Sequence, residues 1–133
     1  MDSCDFSDGK TVGLFSPSGP AQEACIREAY SRAGITDYSA TAYFEAHGTG
    51  TRAGDPAEAM AIGNVFGPSR TADDPLYVGS VKTILGHGEG SSALNGVIKA
   101  ILALEAEKIP PNINFDTPSS KSAYLLKFAL YHC

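Results

Sequence analysis

The feature that most limits what this chain can fold into occurs twice. A short β-branched or aromatic run leads directly into a glycine-rich loop holding a histidine, and a helix-start signal follows. In the first copy, residues 41–45 run into Ala46-His47-Gly48-Thr49-Gly50-Thr51 and then Asp55-Pro56-Ala57-Glu58. In the second, residues 76–81 run into Lys82-Thr83-Ile84-Leu85-Gly86-His87-Gly88-Glu89-Gly90 and an apolar-periodic stretch. Strands separated by helices imply a crossover between parallel strands with helices packed against the sheet, an α/β class. Each histidine then lies beyond the carboxyl end of a strand, where open α/β sheets build their sites.

Other signals fill in the order of elements. Ile26, Ala29, Tyr30 and Ala33 fall at helical spacing, with Pro20 suited to the first turn and Gly34 to the left-handed residue after the end. Asp55, Pro56 and Glu58 have the spacing of an N-cap, a first-position proline and a capping-box carboxylate, which predicts a helix to about Phe66, stopped by Gly67-Pro68. Leu94, Val97, Ile98, Ile101 and Leu102 form one apolar stripe, so a third helix is expected from Gly90 or Ser91, packed on the sheet and ended by Pro110-Pro111. Residues 82–90 read as a loop. After Pro118 the periodicity fades and predicts no element.

With 133 residues the chain is long enough for one core and not for two. Ten Lys and Arg against fifteen Asp and Glu give a formal charge of −5, with no basic cluster to neutralise phosphates, so nucleic acid is not an expected partner. No window approaches the roughly 18 apolar residues of a membrane span, and Met1-Asp2-Ser3-Cys4-Asp5 has no signal-peptide character. A cytoplasmic protein is expected. Cys4, Cys25 and Cys133 make neither an even set nor a CxxC pair, which points to reduced thiols and not to a disulfide framework or zinc site. Asp2, Asp5 and Asp8 disfavour a thiolate at Cys4, and Cys25 lies within a helix, so no cysteine is expected to be a nucleophile.

The chemistry therefore centres on His47 and His87. Neighbouring strands lie about 4.8 Å apart, so loops from two such strands can converge on one small ligand. Paired imidazoles can hold a metal, shuttle protons, or donate hydrogen bonds to an oxygen that becomes negative. A catalytic zinc needs a third ligand, and although Asp55 and Glu89 are near in sequence, there is neither an HExxH motif nor a cysteine pair; no metal is expected. Two structural histidines satisfied by loop backbone fit the spacing equally well. Lys82 either attracts an anion and fixes a carboxylate such as Glu89, or is a surface lysine. Gly79-Ser80-Val81-Lys82-Thr83 lacks the spacing of a nucleotide phosphate loop.

Taken together, Tyr43-Phe44-Glu45-Ala46-His47-Gly48-Thr49-Gly50-Thr51, Gly54-Asp55-Pro56-Ala57-Glu58-Ala59, Val78-Gly79-Ser80-Val81-Lys82-Thr83, Gly86-His87-Gly88-Glu89-Gly90 and Ile109-Pro110-Pro111-Asn112-Ile113-Asn114-Phe115 resemble the β-ketoacyl synthase domain of type I polyketide synthases, in wording most like the fungal reducing type. The resemblance implies a thiolase-like fold of two similar halves, with residues 1–118 as part of the second half and 119–133 as a divergent tail. It implies a decarboxylative condensation between a malonyl unit on the phosphopantetheine arm of an acyl carrier protein and an acyl thioester. It implies no directly bound cofactor. His47 and His87 would stabilise the enolate, supported by Lys82, Glu89, Thr49 and Thr51.

The resemblance also shows departures. The family's Asp-Thr-Ala-Cys-Ser-Ser nucleophile segment and its late glycine-rich stretch are not in these 133 residues. Ile84 stands where asparagine is common, and Gly88 where a larger residue is frequent. A partial condensing domain, inactive alone and prone to associate with a complementary half or with itself, is expected. The competing readings are a noncatalytic module that binds a carrier protein or partner, and a metal-dependent hydrolase.

Overall fold

In a computed structural model of the chain, described over residues 17–114 and for the backbone of 130–132, the elements follow the predicted order with two additions. Helix α1 spans Gly19–Arg32, strand β1 Tyr43–Glu45, helix α2 Gly54–Phe66, strand β2 Leu76–Gly79, a short helix α3 Lys82–Leu85, helix α4 Ser92–Ala106 and strand β3 Leu130–His132. Gly34 takes φ +69° just past the end of α1, as the sequence predicts, and Ser18, not singled out from the sequence, caps its start by accepting the Ala21 N–H at 3.3 Å.

All three strands are parallel, in the order β1-β2-β3. Phe44 lies opposite Val78, and Glu45 opposite Gly79. Because side chains alternate along a strand, Phe44, Leu76 and Val78 face one layer, and Tyr43, Tyr77 and Glu45 face the other. The first layer is the core. There Ile62, Val65 and Phe66 of α2 pack on Leu76 and Val78, with Ile26 and Tyr30 of α1 alongside. Phe66 is fully buried, its ring 5.5 to 5.8 Å from those of Tyr30, Tyr38 and Phe44.

The second layer corrects an expectation. Helix α4 does lie against the sheet, but not through its apolar stripe. Leu94, Val97, Ile98, Ile101 and Leu102 are 50% to 64% exposed, while the residues it buries are Ser92, Gly96 and Lys99. The inner face is set by close approach and charge: a Cβ on Gly96 would meet the Glu45 side chain at 3.2 Å, and the Lys99 ammonium stands 3.0 Å from the Glu45 carboxylate. Periodicity identified the residues that share a face, but not whether that face has a neighbour within these residues.

Smaller corrections have local causes. Residues 82–85 form a helical turn and not loop, closed by the Gly86 N–H on the Lys82 carbonyl, with Gly86 at φ +74°. Asp55 is inside the first turn of α2 and not its N-cap, because its carboxylate is drawn back onto the preceding loop. Helix α4 ends three residues before Ile109, where Glu107 takes a left-handed conformation. Cys25 is disulfide-bonded, contrary to the reduced thiol expected. The tail, which carried no predicted element, contributes β3. Residues 1–16 and 115–129 lie outside the described residues.

Replacing Phe66 by Ala removes the ring on which three others close. The expected loss is about 3–5 kcal/mol of unfolding free energy, measurable by urea denaturation of the full chain.

Candidate active site

The two histidine loops leave adjacent parallel strands and meet. The rings of His47 and His87 are 5.4 Å apart, centroid to centroid, at 90°. They adjoin a cavity of about 340 Å³ whose lining includes Thr49, Glu58, Lys82, His87, Asn112 and Asn114. His87 lines the cavity directly, whereas His47 meets it through the ring contact with His87.

The first loop is held by two carboxylates from α2. Glu58, buried, accepts the His47 N–H at 2.6 Å and the Gly48 N–H at 2.9 Å. Asp55 accepts the N–H groups of Gly50 and Thr51 at 3.1 and 3.2 Å. Thr51 Oγ1 accepts the Gly54 N–H at 3.1 Å and lies 3.4 Å from Thr49 Oγ1. Gly48 takes φ +49°, and a Cβ there would stand 2.7 Å from that of Ser80. The expected capping box is thus a loop clamp, in which Glu58 and Asp55 both hold the loop.

The second loop is fixed from a different direction. Val81 donates its N–H to Glu45 at 2.5 Å, and Ser80 donates its N–H to Asn112 Oδ1 at 3.0 Å. Asn114 donates to the Thr83 carbonyl, so the segment after Pro110-Pro111 braces the turn that carries Lys82. Glu89 acts through its backbone. Its N–H donates to His87 Nδ1 at 3.1 Å, which leaves the proton of a neutral His87 ring on Nε2. The carboxylates whose charge acts on Lys82 are Glu58 and Glu45, not Glu89.

Burial, then the charges of Lys82 and His87, lowers the pKa of His47 below its ordinary value. Burial also lowers that of Lys82, against the opposing pull of Glu58 and Glu45. For Glu58, burial raises the pKa, and the His47 and Gly48 amides partly offset it. Among the described residues no three His, Cys, Asp or Glu side chains gather as metal ligands. No helix among them is long and apolar enough to cross a membrane.

Residues 2–116 match the family described as Beta-ketoacyl synthase, C-terminal domain. The chain belongs to this family. It is 55% identical over 123 residues to the highly reducing polyketide synthase xilA of Penicillium rubens, covering 91% of this chain and 5% of that protein. It is 56% identical over 115 residues to the highly reducing polyketide synthase FUM1 of Gibberella moniliformis, covering 86% and 4%. Among solved structures, it matches the ketosynthase from module 6 of the bacillaene synthase of Bacillus subtilis 168 with a TM-score of 0.78 and 36% identity, over 94% of this chain and 22% of that one. The ishigamide ketosynthase/chain length factor matches with a TM-score of 0.74 and 31% identity, over 95% and 29%. The fold is a partial thiolase-like one, and the chain spans about one twentieth of its curated relatives. Glu58 and Asn112 of this β-ketoacyl synthase segment were not singled out from the sequence as site residues; a carboxylate eleven residues after a histidine in a glycine-rich loop was the available signal for Glu58.

Two outcomes follow from this geometry. Glu58→Gln keeps one acceptor and turns an amide N–H toward a backbone N–H, so it is expected to cost about 1–3 kcal/mol by chemical denaturation. His47 binds fewer protons folded than unfolded, so stability rises with pH; its contribution is present above pH 6.5 and lost as pH falls through the lower folded pKa. Histidine ring NMR, followed with unfolding at several pH values, checks both the direction and the window.

Proposed function

We propose that this segment supplies the decarboxylation half of a polyketide condensing site, with His47 and His87 as paired donors to a malonyl thioester. The observation that carries the reading is the meeting of the two rings beside the cavity. In the reaction, the bond between the malonyl α-carbon and its carboxylate breaks, carbon dioxide leaves, and the electron pair becomes an enolate on the thioester oxygen. The α-carbon then attacks an acyl thioester, displacing a thiolate. The acyl-bearing cysteine comes from outside these 133 residues.

Two features support donation over proton shuttling. Burial and neighbouring positive charge favour the neutral form of His47, whose ring carries one N–H donor. The Glu89 amide engages His87 Nδ1, which turns a donating Nε2 to the remaining side. Donors fixed before reaction stabilise the enolate oxygen more than the ground-state carbonyl. Lys82 adds positive potential to the cavity, and Thr49 and Thr51 hold the first loop. The substrate arrives on the phosphopantetheine arm of an acyl carrier protein in the cytoplasm. The exposed stripe of α4 packs against the complementary part of a condensing domain or, without one, against a second copy.

His47→Ala and His87→Ala are each expected to lower carbon dioxide release from a malonyl thioester by about 10²–10³-fold, assayed with the full chain. Equal rates in the wild type and both variants would remove the reading. Replacing Ile98 and Leu102 together by Glu should shift the full chain from associated to monomeric species in sedimentation; a wild-type chain already monomeric would oppose the packing role of α4.

A further inference from the structure

Helix α4 turns its apolar residues outward and buries a lysine. Lys99 is 6% exposed, and its ammonium is 2.7 Å from the Tyr43 hydroxyl and 3.0 Å from Glu45 Oε2. The Tyr43 hydroxyl also donates to Glu45 Oε2. The other oxygen, Oε1, accepts the Val81 N–H at 2.5 Å. Gly96, one turn before Lys99, lets the helix backbone approach this carboxylate.

The sequence positions of these groups give the cluster its consequence. Glu45 ends β1 and is two residues before His47. Val81 precedes the α3 turn that carries Lys82 and leads to His87. Lys99 holds α4, whose N-terminus at Ser92 closes the loop containing His87 and Glu89. One partly buried carboxylate therefore touches the strand bearing the first histidine, the turn leading to the second, and the helix that follows it.

We propose that the Lys99–Glu45–Tyr43 cluster is a positioning unit that sets where His87 stands relative to His47, including the Glu89 amide contact that selects the His87 tautomer. It deepens the reading of this site as a decarboxylation centre and rests on that reading for its effect on turnover. A buried ion pair that loses one partner leaves an uncompensated charge, and the carboxylate then moves toward water or a new donor. Movement of Glu45 releases Val81, and loss of Lys99 frees α4 at the same time. Positional errors of about 1 Å can cost 10²-fold in rate.

The test uses the full chain labelled with ¹⁵N-histidine. Lys99→Met is compared with Val65→Ala, a core substitution away from the site that serves as a control for lost stability. The expected result is that Lys99→Met shifts the His87 ring ¹⁵N resonances toward a mixture of tautomers and lowers kcat for malonyl-thioester decarboxylation by about 10–100-fold with KM held. Val65→Ala should leave both unchanged. If Lys99→Met does not fold, Tyr43→Phe removes the bridging hydroxyl and should give a smaller shift in the same direction. A folded Lys99→Met, or failing it a folded Tyr43→Phe, with wild-type His87 resonances overturns the proposal, as does an equal shift in Val65→Ala. The resonances report on positioning even where no variant releases carbon dioxide, so failure of the positioning claim is separable from failure of the decarboxylation reading.

Discussion

Glycine-rich loops do not hold a shape by themselves, and the loop from His47 to Thr51 has its shape imposed by two carboxylates on the following helix. Glu58 and Asp55 together accept four backbone N–H groups from five consecutive residues. Glu58 does this from a buried position, where a charged acceptor is costly to desolvate and gains most from the amides facing it. Everything that concerns His47, from its ring position to its distance from His87, depends on that clamp.

The same device recurs on the other side of the sheet with a different chemistry. Glu45 is also a partly buried carboxylate accepting a backbone N–H, but its charge is met by the Lys99 ammonium. Glu58 is met by backbone amides and has a raised pKa, a rise that the nearby Lys82 opposes. The two carboxylates thus enclose the histidine loops from opposite layers. One is bound into α2 and the core, the other into α4 and its polar inner face. The site is built across the sheet edge and not within either layer.

The parts of this arrangement that were legible in the sequence are those encoded locally. Pro20 and Gly34 announce α1 through their φ preferences, and the two strand–histidine–helix segments announce a parallel pair with both histidines at one edge. Asp55 and Glu58 were read as a local capping box because their spacing fits one; their actual partners lie several residues back along a loop whose path no propensity describes. The α4 stripe failed for a complementary reason. Leu94, Val97 and Ile98 obey helical periodicity, but burial is a property of the neighbours, and here a lysine and a glycine occupy the face turned to the sheet.

That inversion has a physical logic that connects packing to chemistry. A face lined with Leu and Ile tolerates small slides, because dispersion contacts are many and individually weak. A face built on one lysine, one carboxylate and one glycine has few alternatives at comparable energy, since any displacement leaves a buried charge without its partner. Helix α4 begins just beyond His87, so the element that follows the His87 loop is located by the more exacting of the two kinds of contact. Its apolar stripe is left available for packing, while its register against β1 is fixed by charge.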